Sequence, residues 1–534
     1  MTSEQLAYWK FDGTTLTNRS TNKSVQAQHK NLLQDLSEDA LPWRAARGDA
    51  KERVFNLLIR DGVDPRDKLE EAVLIGDYRN DPGRRFSEYA DISEDLQELF
   101  GEILEDHYVI EGRGGARFLF PFQTSLPGRY KFKGRERMFT GKILAFLCQP
   151  TIADSGFNLD LINTFYGLFN GDAGLTLLDT TVLEIADRIH EGDKVDAKHY
   201  SALAETLVSR HYGGDLTPPG AMLPTTHLRF QRDLEAILSL KNLNRRDLVN
   251  YAINIFYLHL ALYFQRLGWL LEEEFRHSLR CINDPTVTLA AARRCFGTEW
   301  EDSPFAGSIA FRVARGQPVP ISLGDECAKS YSEQNRRQLL LPANLSVLGA
   351  AREVLSASGC DASKWSFADI VEQMRKEPEV GASLDEALQQ MAIATMADRP
   401  QQERDDIDRQ VALSVPGIEV FRESLLKTRR TDLRRRGRDI VHALALRGGR
   451  GYIGQRGRSH FFFEIGQDLL LLLAKVIVSD EQMPFRQFLN ELKRYGFYPQ
   501  DHYEVDRLAD TLRVLNLLEK HSDAGEAMYV KHFL

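Results

Sequence analysis

Apolar residues recur at helical spacing along most of the chain. In "DAKERVFNLLIRDG", Val54, Leu57 and Leu58 fall at i, i+3 and i+4 ahead of a glycine, the signature of one buried helix face. "DISEDLQELFGEILEDHYVI" repeats that spacing through Ile92, Leu96, Leu99 and Ile103. Helices are also predicted for "TTVLEIADRI", "DAKHYSALAETLVSRH" and the long "RDLVNYAINIFYLHLALYFQRLGWLLEEEFRHSL". Further along they are expected at "NLSVLGAAREVLSA", "SFADIVEQMRKE", "SLDEALQQMAIATMA" and "QERDDIDRQVALSV". Between them lie segments without helical period: residues 1–45, the Gly- and Pro-broken 111–140 with one or two short strands, "GGDLTPPGAMLPTTH", and 300–345.

The pattern sharpens towards the C-terminus. "HFFFEIGQDLLLLLAKVIVS" reads as an apolar helix headed by aromatics. "MPFRQFLNELKRYG" places Phe485, Phe488, Leu489 and Leu492 on one face, with Pro484 at the first helical position and Gly496 as the stop. "YEVDRLADTLRVLN" aligns Val505, Leu508, Ala509, Leu512 and Leu515. Two strands about a turn at Asp523–Gly525 then close the chain. Three helices and a hairpin follow the order of a winged helix, a relative of the helix-turn-helix. The expected fold class is therefore mainly α, a multi-domain helical protein with a C-terminal winged-helix domain. Its parts would be a mixed N-terminal region over 1–140, a helical domain over 141–410, and a basic segment plus winged helix over 411–534.

A chain of 534 residues is long enough for several cores. The run Leu248–Gln265 holds 18 uncharged residues but includes Asn250, Asn254 and His259, so a buried helix is expected rather than a membrane span. Five cysteines without a CxxC pair exclude a disulfide scaffold or zinc ribbon and fit a reducing cytoplasm. No secretory leader is read at the N-terminus, and the expected location is cytoplasmic.

Net charge is −9, yet one segment inverts it. From Lys427 to Arg458 eleven Lys or Arg face only Asp432 and Asp439, a local balance of +9. Polyanion binding, an acidic protein partner and a solvated face all fit such a run, and its density and single sign favour the first. The candidate DNA-binding residues are Arg429, Arg430, Arg434, Arg435, Arg436, Arg438, Arg447, Arg450, Arg456 and Arg458, with Lys131, Lys133 and Arg135 in a second basic stretch. The third helix of the winged helix would be its reading helix, yet it carries Glu504, Asp506 and Asp510 against Arg507 and Arg513. An acidic helix fits a major groove poorly. Asp523, Gly525, Glu526 and Tyr529 are accordingly candidate partner-binding residues.

Motifs for catalysis are weak. "GRGYIG" (Gly449–Gly454) matches G-x-G-x-x-G but is followed by "QRGRSHFFFEI" rather than an opening helix, which favours a basic loop over a dinucleotide site. There is no P-loop motif. Glu273 and His277 could share a helix face, a pairing more typical of helix surface than of a metal centre. No catalytic residue, metal or cofactor is expected.

The stretches "GQDLLLLLAKV" and "FLNELKRYGFYPQDHYEVDRLADTLRVLNLLEKHSDAGEAMYVK" resemble the C-terminal region of the DptG family, accessory proteins of phosphorothioation-dependent DNA restriction in bacteria, or of a sister family in another anti-phage system. The matching positions are Leu515, Asn516, Leu517, Lys520, Ser522, Asp523, Ala524, Gly525, Glu526, Ala527, Tyr529 and Val530. The resemblance implies a non-catalytic subunit working with a HerA-like ATPase and other subunits of a defence complex. It carries over no catalytic residue. The alternatives are a nuclease with its active site in the N-terminal half, or a purely structural adaptor.

Overall fold

The structure is a computed structural model. It describes residues 8–12, 14–27, 91–111, 117–119, 140–149, 156–167, 204–205, 208–209, 222–240, 243, 245–297, 310–311, 321–428, 453–456, 460–478, 482–497, 499, 502–521 and 528–532. The helical patterns around Val54 and at "TTVLEIADRI" lie outside them. About 70% of the described residues are helical, so the protein is mainly α.

A meander of β1 (Trp9–Phe11), β2 (Thr15–Asn18) and β3 (Ser24–Gln26) opens the fold where the sequence had no clear period. α1 (Glu94–Tyr108) leads into the hairpin β4 (Val109–Glu111) and β5 (Arg117–Leu119). The helical body comprises α2 (Thr140–Leu147), α3 (Leu159–Gly167), α4 (Pro224–Leu238), α5 (Arg245–Asn283) and α6 (Ala290–Arg294). After the short β6 (Ala310–Phe311) it continues through α7 (Ile321–Ala357), α8 (Phe367–Lys376), α9 (Pro378–Met396), α10 (Gln401–Ala412) and α11 (417–428). β7 (Ile453–Arg456), β8 (His460–Ile465), α12 (Gln467–Ile477), β9 (Gln482–Pro484), α13 (Phe485–Lys493), α14 (His502–Val514), β10 (Leu518–Lys520) and β11 (Met528–Lys531) complete it.

Three expectations change. The aromatic head of "HFFFEIGQDLL" is strand β8, not helix; it pairs antiparallel with β7 and parallel with β6. A short apolar run fits a buried strand as well as a buried helix, and Gly466 before α12 marks the switch. Ile453 and Gly454 of "GRGYIG", expected in a basic loop, lie in strand β7, and the motif's first four residues lie outside the described ones. Residues 321–343, read as irregular, form the first part of α7, with Pro342 inside the helix. Proline removes one backbone hydrogen bond and tends to kink a helix, and here packing of Leu341, Ala343 and Leu345 carries the helix across it.

The uncharged run fills most of the first half of α5, a helix of 39 residues. Ala252, Ile255, Phe256, Leu258, Leu260, Tyr263, Phe264, Leu267 and Leu271 are all buried, as expected for a helix apolar on every side. Among the described residues no helix is long and apolar enough to cross a membrane. The last turns of α5 carry three glutamates, and each holds a different neighbour. Glu272 accepts from Arg276 Nε and Arg422 Nη2 of α11, both at 2.8 Å, and from Asn344 Nδ2 of α7 at 2.9 Å. Arg422 also lies over the Phe275 ring, 4.3 Å from its centre. Glu273 binds Arg337 of α7 at 2.7 Å. Glu274 accepts from the backbone N–H of Ala368 at 3.2 Å, in the first turn of α8, where a carboxylate complements the helix dipole.

The terminal meander is seated on the same body. Trp9 is buried, and its Nε1 donates to the backbone O and the Oγ of Ser383 in α9, both at 3.0 Å. α11 starts beside α9 because Gly417 donates its N–H to Asp385 Oδ1, and any Cβ there would stand 2.5 Å from the Asp385 carbonyl oxygen. Only glycine admits that approach.

Burial pushes the Glu274 carboxyl up from its ordinary 4.5 to about 7. A carboxyl that titrates higher when folded binds more protons in the native state, so stability falls as pH rises between the two values. Between pH 4.5 and about 7 the wild type should therefore lose roughly 3 kcal/mol relative to Glu274→Gln. Urea unfolding of both proteins across that range measures it, and parallel pH dependences would exclude Glu274 as the source.

Candidate docking and nucleic-acid interface

The C-terminal module is built by three amphipathic helices and a small sheet. α12 buries Leu469, Leu470, Leu472 and Leu473; α13 buries Phe485, Phe488 and Leu492; α14 buries Leu508, Ala509 and Leu512. Two left-handed residues stop the helices. After α13, Gly496 takes φ +82° and Phe497 N–H returns to Leu492 O at 3.1 Å, a glycine C-cap. After α14, Asn516 takes φ +57° and Leu517 N–H returns to Leu512 O at 2.8 Å. Asparagine tolerates that conformation better than most residues.

The two predicted closing strands are present, antiparallel, with Leu518 opposite Val530 and Lys520 opposite Met528. A third strand, absent from the sequence reading, joins them. β9 pairs with β11 through Met483 opposite Val530, so the sheet runs β10-β11-β9. Pro484 accordingly stands at the strand end as the cap of α13, not inside its first turn.

Polar groups lock this module to the helical body. Tyr495 donates its hydroxyl to Asp233 Oδ2 of α4 at 2.7 Å, and His259 Nε2 of α5 lies 2.6 Å from the same oxygen. All three are buried. Burial, reinforced by Asp233, holds the Tyr495 hydroxyl well above its usual range. Next to it, Arg229 of α4 donates to the backbone O of Arg494. On the other side Lys475 of α12 is buried with its Nζ 4.8 Å from the centre of the Tyr251 ring, and desolvation lowers its pKa.

The outward face of α14 is made of His502, Tyr503, Asp506, Asp510, Arg513 and Val514. Arg513 is engaged by Asp510 at 2.6 Å, and Arg507 turns inward, its guanidinium 5.3 Å from the Tyr503 ring centre. Asp506 and Asp510 against Arg513 leave this face with a net exposed charge of −1. On the hairpin, Lys531 binds Glu519 at 2.7 Å and lowers its pKa. Tyr529 lies opposite Glu519 and Pro484, with its ring 5.2 Å from that of His521. Asp523, Gly525 and Glu526 lie outside the described residues.

Of the basic segment, Lys427 is described and pairs with Asp406 of α10, so that cation is already matched within the fold. Arg456 is placed in β7 opposite His460. Arg429, Arg430, Arg434, Arg435, Arg436, Arg438, Arg447, Arg450, Arg458, Lys131, Lys133 and Arg135 lie outside the described residues. The Glu273–His277 pair resolves into the ion pairs of Glu273 with Arg337 and Arg276, and among the described residues no group of three His, Cys, Asp or Glu could hold a metal ion. Sequence reasoning missed the Asp233–His259–Tyr495 cluster. Its trace in the sequence was His259 within a largely apolar run.

Set against known proteins, the chain matches no protein-family model and no curated protein.

Replacing Tyr495 by Phe removes one donor from a buried carboxylate, a loss worth about 1–3 kcal/mol. Y495F should shift the denaturation midpoint accordingly while far-UV circular dichroism stays native. An unchanged midpoint would mean that this bond does not hold the module to the body.

Proposed function

We propose that the chain is a non-catalytic subunit that grips DNA through its arginine-rich segment and docks a partner protein through its C-terminal module. The order α12, β9, α13, α14, β10, β11, with β9 completing the hairpin's sheet, fits a winged helix. The exposed face of α14 carries the proposal. In helix-turn-helix relatives the equivalent helix enters the major groove, where attraction to phosphates supplies much of the affinity. With Asp506 and Asp510 outward against one exposed arginine, Arg513, and with Arg507 buried, the net negative face of α14 is disfavoured there and suits a basic protein surface instead. DNA contact then falls to the ten arginines from Arg429 to Arg458, which face only Asp432 and Asp439.

The likeness of the C-terminal stretch to the DptG family supports a more specific setting. The chain would be an assembly subunit of a phosphorothioation-dependent anti-phage restriction complex, cytoplasmic, and partnered by a HerA-like ATPase. Lacking a P-loop motif, it would depend on that partner for nucleotide-driven work.

Reversing Arg434, Arg435, Arg436 and Arg438 to Glu should abolish retention on duplex DNA at low salt. Each phosphate contact contributes about 0.9 to the slope of log affinity against log salt, so residual binding should lose a slope of roughly 3 to 4. Unchanged retention would overturn the DNA assignment and leave an adaptor. Separately, Asp506→Lys with Asp510→Lys should break co-purification with a co-expressed HerA-like ATPase and leave DNA retention intact. Co-purification at the wild-type level would remove α14 as the docking face.

A further inference from the structure

α1 forms where the sequence predicts a helix, but its apolar stripe does not face the core. The helix meets the rest of the protein through its other side, where Phe100 packs against the core and Gly101 is buried. Leu96 and Leu99 each keep 53% of their surface exposed, and Ile103 and Ile92, just ahead of the first turn, are exposed as well. Positions 92, 96, 99 and 103 follow the 4-3-4 spacing of a coiled-coil seam. Beside that seam, along one flank, stand Asp95 and Glu102, both exposed. Between Asp91 and Tyr108 there is no lysine or arginine.

We infer that this stripe is a docking face for an amphipathic helix of a partner protein whose apolar seam is flanked by lysine or arginine. The apolar row supplies the contact area of a helix-on-helix interface, and the acidic flank selects the sign of what lies beside it. The same charge pattern disfavours the other occupants. An antiparallel second copy would set Asp95 and Glu102 against their own kind, and like charges across an interface are costly. Helices that lie on membranes carry Lys and Arg on the polar face and are drawn to anionic lipid; this one would be repelled. The surface is remote in sequence from the C-terminal module, and the inference stands independently of the function proposed for that module.

The test uses the full chain and a fluorescent synthetic peptide of about three heptads, with Leu at the seam positions and Lys beside them. A twin carries Glu in place of Lys. The Lys peptide should bind and its Glu twin should not. Leu96→Asp with Leu99→Asp should weaken binding of the Lys peptide by about tenfold or more, as loss of central apolar anchors does. Asp95→Lys with Glu102→Lys should transfer preference to the Glu twin, and this pair carries the test if the leucine variant loses its circular dichroism. Equal binding of both peptides, or wild-type binding by both variants, would overturn the inference. So would sedimentation of the wild type as a dimer that the leucine variant converts to monomer, which would assign the face to a second copy. Binding to phosphatidylserine vesicles that the leucine variant abolishes would assign it to a membrane.

Discussion

A charge removed from water must find a partner, and α5 carries that constraint deeper than any other element described. Its apolar middle could be buried by any greasy neighbour. Glu272 and Glu274, each about 1% exposed, could not. An unpaired carboxylate in the interior costs several kcal/mol, and breaking a buried pair is correspondingly severe. Arg422, Asn344 and the first turn of α8 therefore have defined places around α5. Hydrophobic contact makes the body cohere, while these carboxylates fix which helix lies where.

The same logic positions the C-terminal module. Asp233 reaches both His259 and Tyr495 with one oxygen, so the corner after α13 is held at one point of the α4–α5 surface. With that corner fixed and Lys475 packed on Tyr251, one face of α14 is left exposed. Its acidic outer face is then a property of the whole protein, not of an isolated domain.

Legibility in the sequence followed the range of the forces involved. α5, α8, α9 and α14 were readable because their apolar spacing is local, and the β10–β11 hairpin because two alternating stretches flank turn residues. The β1–β3 strands were not, being three or four residues long and stabilised by distant contacts such as Trp9 on Ser383. β8 was misread because "HFFFEI" has no period to separate strand from helix. Pro342 hid the first part of α7 for the opposite reason, a local breaker overruled by tertiary packing. For the candidate interface, the acidic character of α14 could be read directly. Its anchor could not, because Tyr495 and Asp233 are 262 positions apart and nothing in either neighbourhood names the other. The α1 stripe adds a caution: amphipathic spacing announces a helix, but not that the apolar side faces inward.

The sheet order β10-β11-β9 also bears on how the protein is made. Chains emerge from the ribosome N-terminus first, and the central strand, β11, is the last of the three to emerge. Until Met528–Lys531 arrive, β9 and β10 each present an open edge, the kind of surface that recruits foreign strands. A nascent chain stalled before that point would expose both edges and lack the buried Val530. Closure of the module therefore waits for β11, and products truncated before Met528 would be marked for aggregation or proteolysis rather than assembly.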